Sequence, residues 1–319
     1  MNRLFGLVIL TAASLSGVAN AFDTVSPGSL LIYPEYDNTA GSITILTVTN
    51  TSADKDVVAR FNYIDSEECQ IFDRDETLTP NDTLTLVTKV HTPHNNRGFV
   101  YVVAMDPVEG VPIKHNWLIG TTRFIEAPSN GLLCGLYSLQ PFTYLGIAPN
   151  SNSKNTLFDL DGIEYEQSPA EHLVPNFIGY KAGAYESELI LIGLAGGAAF
   201  QTRVDFLIYN DNEEVFSTSY TFHCWEKVAT AAVSPAFLHD FLVITNHDPN
   251  EILGIPALEA GWFRAQGNVA TSSAVSIQDP AIRVALIQRI ASLASEDLAF
   301  GLGQNKTGKL WSLSITGDQ

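Results

Sequence analysis

The stretches ITILTVTN (Ile43–Asn50), VVARFNYI (Val57–Ile64), DTLTLVTKV (Asp82–Val90) and GFVYVVAM (Gly98–Met105) decide the fold. In each, apolar and polar residues alternate or β-branched residues run together, the period-two signature of strands. Between them lie Asp37-Asn38-Thr39-Ala40-Gly41, Pro80-Asn81-Asp82 and His94-Asn95-Asn96-Arg97-Gly98, whose Gly, Asn, Asp and Pro supply turn chemistry. About seven strands in roughly a hundred residues predict an antiparallel sandwich.

The same pattern returns further along. Ile43–Asp65 laid over Leu189–Asp211 matches Val58 with Val204, Tyr63 with Tyr209 and Asp65 with Asp211, and continues through Glu67-Glu68 and Glu213-Glu214. Ser26-Pro27 and Ala40-Gly41 stand in the same mutual spacing as Ser168-Pro169 and Ala182-Gly183, and Gly98-Phe99-Val100 has its counterpart in Gly261-Trp262-Phe263. The common order of the matches predicts a duplicated unit. Tyr63 and Tyr209 each read as the end of a core strand before an acidic hairpin turn. The expected organisation is a first sandwich over 22–126, a connector over 127–165 and a second sandwich over 166–319. One helix is expected over 280–298, where Ile282, Leu286, Ile287, Ile290, Leu293 and Ala294 follow a helical spacing after Asp279-Pro280.

At the start, Asn2 and Arg3 precede an apolar run from Leu4 to Leu10, and Ala19-Asn20-Ala21 offers small residues for cleavage before Phe22. Residues 1–21 therefore read as a secretory signal peptide, and the protein as exported, either periplasmic or secreted. A formal net charge of −18 repels nucleic acid and anionic headgroups, and no apolar run after the signal is long enough to span a membrane. A hydrophobic content of 45% supplies enough apolar surface to build cores, which excludes a disordered chain. Three cysteines, Cys69, Cys134 and Cys224, allow one internal bridge in an oxidising compartment, with the pairing open.

The first domain, with TVTNT at Thr47–Thr51, LTPNDTL at Leu78–Leu84 and RGFVYV at Arg97–Val102, resembles exported bacterial proteins that carry immunoglobulin-like sandwiches and have no assigned activity. The resemblance implies an all-β fold of two tandem immunoglobulin-like antiparallel β-sandwiches and an export route, and it carries over no functional residue. The cysteine pair of antibody B and F strands is missing, since Ile43–Asn50 contains none.

No motif spells out a catalytic site. GQNKTGKL (Gly303–Leu310) has Gly303, Gly308 and Lys309 of a phosphate loop, but Leu310 stands where Ser or Thr should meet magnesium, so it reads as a surface loop. Asp159, Asp161, Glu164 and Glu166 could converge on calcium around Gly162, though without the full twelve-residue pattern, and Asp73, Asp75 and Glu76 form a second acidic run. His91, His94 and His115 lack a spacing that fixes a metal site. His223 and Cys224 sit on a strand, where neighbours point to opposite faces and cannot act as a pair, and His247-Asp248 reads as a turn. Tyr33, Tyr36, Trp117, Trp225 and Trp262 could stack on sugars or fill cores. The expected function is non-enzymatic binding, adhesion or envelope assembly through sandwich surfaces, with a protein or glycan partner at the cell envelope and no required cofactor. The alternatives are a secreted carbohydrate-active enzyme or sugar-binding module, and a calcium-stabilised surface module.

Overall fold

A computed structural model describes residues 26–92, 96–126, 135–149, 158–160, 162–195, 197–210, 213–245, 259–290, 293–306 and 308–310. The expected signal peptide lies outside them. The first unit contains β1 (Leu30–Asp37), β2 (Ser42–Asn50), β3 (Val57–Asp65), β4 (Ile71–Leu78), β5 (Thr83–Val87), the single turn α1 (Thr88–His91), β6 (Arg97–Met105), β7 (Leu118–Glu126), β8 (Gly135–Leu139) and β9 (Phe142–Tyr144). Its two antiparallel sheets run β4-β3-β6-β1-β9 and β5-β2-β7-β8. Leu46 and Val48 of β2, Ala59, Phe61 and Tyr63 of β3, and Val100 and Val102 of β6 fill the space between them.

After the short β10 (Phe158–Leu160) comes the second unit: β11 (Ser168–Ile178), β12 (Tyr185–Gly193), β13 (Gln201–Asn210), β14 (Val215–His223), β15 (Trp225–Ala229), α2 (Thr230–Val233), β16 (Ala260–Thr271), β17 (Ser276–Gln278), β18 (Ile282–Ile290), β19 (Leu293–Leu298) and β20 (Phe300–Lys306). A 3-10 turn (Pro235–Phe237) and α3 (His239–Thr245) follow α2, and β21 (Gly308–Leu310) pairs with β10. The sheets run β14-β13-β16-β11-β20 and β15-β12-β18-β19. This is the strand order of the first unit repeated, with β17, α3 and the 3-10 turn inserted. Even the helical turn recurs, each copy opening on a fully buried threonine, Thr88 and Thr230.

The duplication is therefore structural, although the expected alignment slips by one residue on β3. Phe61 and Tyr63 face the first core, whereas Phe206 and Ile208 face the second, and Tyr209 lies outside it. The pairings agree, with Asp65 opposite Gly98 and Asn210 opposite Gly261.

Three expectations are corrected. The helix over 280–298 is the strand pair β18–β19. β18 lies between two cores, with Ile282, Val284 and Leu286 in one and Ala285 and Ile287 in the other. Burial on both faces erases alternation and leaves an apolar run that also fits a helical period. The connector contributes β8 and β9 to the first unit's sheets, so that unit reaches beyond residue 126. The described residues of Gly303–Leu310 belong to the strands β20 and β21 and not to a loop.

The two units are stacked on a third core. Leu30 and Ile32 of β1 with Tyr101 and Val103 of β6 present the outer face of one sheet to Ile190 and Ile192 of β12 and Ala285 and Ile287 of β18. Each fully buried Ile or Leu there contributes about 1.5–3 kcal/mol. β1, β6, β12 and β18 are thus buried on both faces.

Candidate interaction edge and the junction behind it

β1 is bent by a bulge between Tyr33 and Tyr36, where Pro34 and Glu35 break the pairing with β6. The bulge turns the Pro34 carbonyl to accept the Trp225 indole N–H at 2.7 Å, and it buries Glu35 completely against the second unit. Burial pushes the Glu35 carboxyl up, and the ammonium of Lys227, 2.8 Å away, opposes that push. Burial also works against the Lys227 charge, but Glu35 and Glu188 outweigh it and raise its pKa. Arg289 extends the network: its guanidinium donates to both Glu126 oxygens at 2.6 and 2.8 Å and to Glu188 at 3.2 Å. The Tyr137 hydroxyl lies between Glu35 and Glu126, with its ring under Lys227 and Arg289. Two carboxylates thus meet at an aromatic residue, but each is held by a cation and Glu35 is sealed from solvent. The arrangement clasps the units together.

A disulfide crosses the same junction. Cys69, in the β3–β4 loop, is bonded to Cys224, between β14 and β15. Cys134 lies outside the described residues. Cys224 has φ of 32°, a left-handed conformation that interrupts strand alternation, so His223 and Cys224 both turn toward Cys69 instead of facing opposite ways. This corrects the strand-based expectation for that dipeptide. His223 Nδ1 is 3.2 Å from Cys69 Sγ, and its Nε2–H donates to the Ala198 carbonyl.

The other expected site residues are described only in part. Asp161 lies outside the described residues, and so does the side chain of Asp159. Glu164 is buried, and Glu166 accepts the Leu145 N–H at 3.1 Å. In the second acidic run, Asp75 is held by Arg60 in a two-point ion pair and Glu76 reaches His91 at 3.2 Å. His91 also bonds the Tyr63 hydroxyl at 2.8 Å, while His115 bonds Asn50 elsewhere, so the two imidazoles serve separate polar contacts; burial lowers the pKa of both. His94 and His247-Asp248 lie outside the described residues. Tyr33, Tyr36 and Trp225 are core residues, Trp117 is 50% exposed, and Trp262 is covered by Tyr209 at 4.1 Å and approached by Arg264.

The duplication allows two equivalent sheet edges to be compared. β4 and β14 hold the same place in the repeated sheet order, each at an outer end. β4 carries Asp73, Arg74, Asp75 and Glu76, charges that discourage a foreign strand from pairing. β14, VFSTSYTFH, has no Asp, Glu, Lys, Arg or Pro in 9 residues. It pairs with β13 from Tyr209↔Val215 to Gln201↔His223, and its far side pairs with no strand among the described residues. Phe216 packs on Phe241 of α3, and Tyr220 donates to Glu226 at 2.8 Å, which hold the strand flat against its own unit. Beside it the row Val215–Tyr209–Trp262 crosses three strands, with Val215 at 52% exposure. An edge of this length runs about 30 Å at roughly 3.4 Å per residue. Residue by residue, its lack of charge was visible in the sequence, but its place at a sheet end was not.

No protein-family model matches the chain, and no curated protein sequence matches it. A crystal structure of Thermotoga maritima 1070 is similar over 37% of this chain and 95% of its own, at 14% identity and a TM-score of 0.29. No helix among the described residues is long and apolar enough to cross a membrane.

Proposed function

We propose that this is an exported, non-enzymatic binding or envelope-assembly protein of two immunoglobulin-like sandwiches, and that β14 takes up an extended segment of a protein partner. The observation that carries the reading is the contrast between β4 and β14: equivalent edges of a duplicated unit, one guarded by four charges and one left neutral in a chain of net charge −18. An added strand would gain main-chain hydrogen bonds from the edge, and alternate side chains would extend the Val215–Tyr209–Trp262 row to give selectivity. The immunoglobulin-like description is supported by the pairing of β2 with β5 and of β3 with β6, which correspond to the B–E and C–F neighbours of that sandwich. It departs where β1 lies beside β6 and β7 beside β2. The clasp and the disulfide fix one unit on the other, so the edge is held out from a rigid base.

Photo-crosslinking from position 219 on β14 and from position 77 on β4, in cells of the source organism, tests the reading. Adducts with one defined partner segment from position 219 alone, abolished by Ser217→Lys, are expected. Equal adducts from both edges, or adducts indifferent to the lysine, would remove it.

A further inference from the structure

The disulfide, its neighbouring imidazole and their surroundings have a second chemical state. We propose that, once the bridge is reduced, Cys69, Cys224 and His223 form a three-ligand site for one thiophilic metal ion, with Zn2+ as the fitting occupant. The ligand atoms of the three residues already lie within 4.8 Å of one another. A tetrahedral Zn2+ with Zn–S bonds of about 2.3 Å and a Zn–N bond of about 2.0 Å spaces its ligand atoms roughly 3.3–3.8 Å apart. The Cα atoms of the cysteines, 6.3 Å apart, allow this by side-chain rotation alone.

The imidazole is prepared for the role. Its Nε2–H is committed to the Ala198 carbonyl, which leaves the Nδ1 lone pair directed at the sulfurs, 3.2 Å from Cys69 Sγ. A ligating histidine needs that tautomer, and an outer hydrogen bond to a backbone carbonyl is the usual way of fixing it. His223 is half-buried, so the fourth position of the tetrahedron can be reached by solvent. Both cysteines are buried, at 2% exposure, which suits a closed clamp better than an open reactive thiol.

The chemistry balances in two steps. A dithiol reductant gives two electrons and two protons to the bridge, breaking the S–S bond and itself becoming a disulfide. Zn2+ then replaces the two thiol protons, forming two Zn–S bonds and one Zn–N bond and releasing two protons. The β3–β4 loop of the first unit is tied to the β14–β15 junction of the second in either state, by a covalent bridge when oxidised and by a metal when reduced.

The test uses the full chain with Cys134→Ser, reduced anaerobically with a phosphine that is then removed, and titrated with Co2+ and Zn2+. One Co2+ per chain with a thiolate-to-cobalt charge-transfer band, displaced by Zn2+, is expected. His223→Ala should weaken binding at least tenfold while leaving the oxidised bridge intact by thiol count. The melting temperature of the reduced protein should rise with Zn2+, and that of the oxidised protein should not. Absence of the thiolate band, unchanged affinity in His223→Ala, or no rise in melting temperature of the reduced protein would each overturn the site. The melting comparison keeps the test decisive if a variant folds poorly.

Discussion

Pro34 and Pro175 occupy the same step of the same bulge, one in each copy of the duplicated unit. The pairing of β1 with β6 shifts between Tyr33 and Tyr36, and that of β11 with β16 shifts between Val174 and Phe177. Proline lacks the N–H that a regular ladder would use, so it is tolerated where the ladder is already broken. The copies then diverge. In the first, the bulge buries Glu35 and meets Trp225; in the second, Pro175 and Asn176 face solvent. One inherited irregularity has become the joint between the units.

That joint depends on charge pairing. Lys227→Met should destabilise the protein by about 3–5 kcal/mol, because Glu35 is left buried without its cation. Adding Glu35→Gln should restore much of the loss. Urea unfolding of the two variants measures both values; a double variant as unstable as the single would show that the charge is not the cause.

The strand facing the bulge carries a glycine in both copies, required by its other neighbour. Gly98 and Gly261 are equivalent, and a Cβ at either would strike a carbonyl oxygen of the neighbouring strand, Ile64 in one copy and Tyr209 in the other. Gly98→Ala and Gly261→Ala should each cost about 1–3 kcal/mol, the range for overpacking a fixed backbone. Thermal melts of the two variants read this directly, and a neutral result at either position would mean that the neighbouring strand, β3 or β13, can shift away.

These pairs show what local sequence reveals. Gly98 and Gly261 stood out as a repeated motif, alternation marked β2 and β3 correctly because one face of each segment differs enough from the other, and β6, apolar on both faces, was marked by its β-branched and aromatic run. β18 was lost because Ile282 to Ile287 is apolar on both faces, a consequence of stacking that no local pattern reports. The Cys69–Cys224–His223 cluster was lost for a different reason: a left-handed residue at Cys224 reversed the side-chain direction expected of a strand. The openness of β14 depends on strand order, which is a property of the whole chain.

Acid should loosen the second unit. His172 is fully buried, neither ring nitrogen has a hydrogen-bond partner in good geometry among the described residues, and burial aided by the Arg283 charge drives its pKa down to about 3. The folded protein therefore resists the proton that the unfolded chain takes up near 6.5, so stability falls as pH drops from about 6.5 toward 3, by roughly 1.4 kcal/mol per unit for this one proton. His172→Leu should flatten the stability–pH curve by that slope. An unchanged slope would place the acid sensitivity elsewhere.

The bridge closes a long loop, with 155 residues separating its cysteines. In the chain-entropy account a loop of that length is worth about 5 kcal/mol, so Cys224→Ser should lower unfolding stability by roughly 3–5 kcal/mol. Peptide mapping without reductant should recover Cys69 and Cys224 in one cross-linked fragment; a bridge to Cys134 would contradict the pairing.

The central claim is that β14 is an open edge awaiting a strand. Hydrogen exchange of the mature protein with and without the segment captured by crosslinking, followed amide by amide along Val215–His223, tests it most directly. The account predicts that alternate β14 amides exchange freely in the isolated protein and become protected when the segment binds, with β4 unchanged. Protection of β14 before any partner is added, or protection appearing on another face, would contradict it.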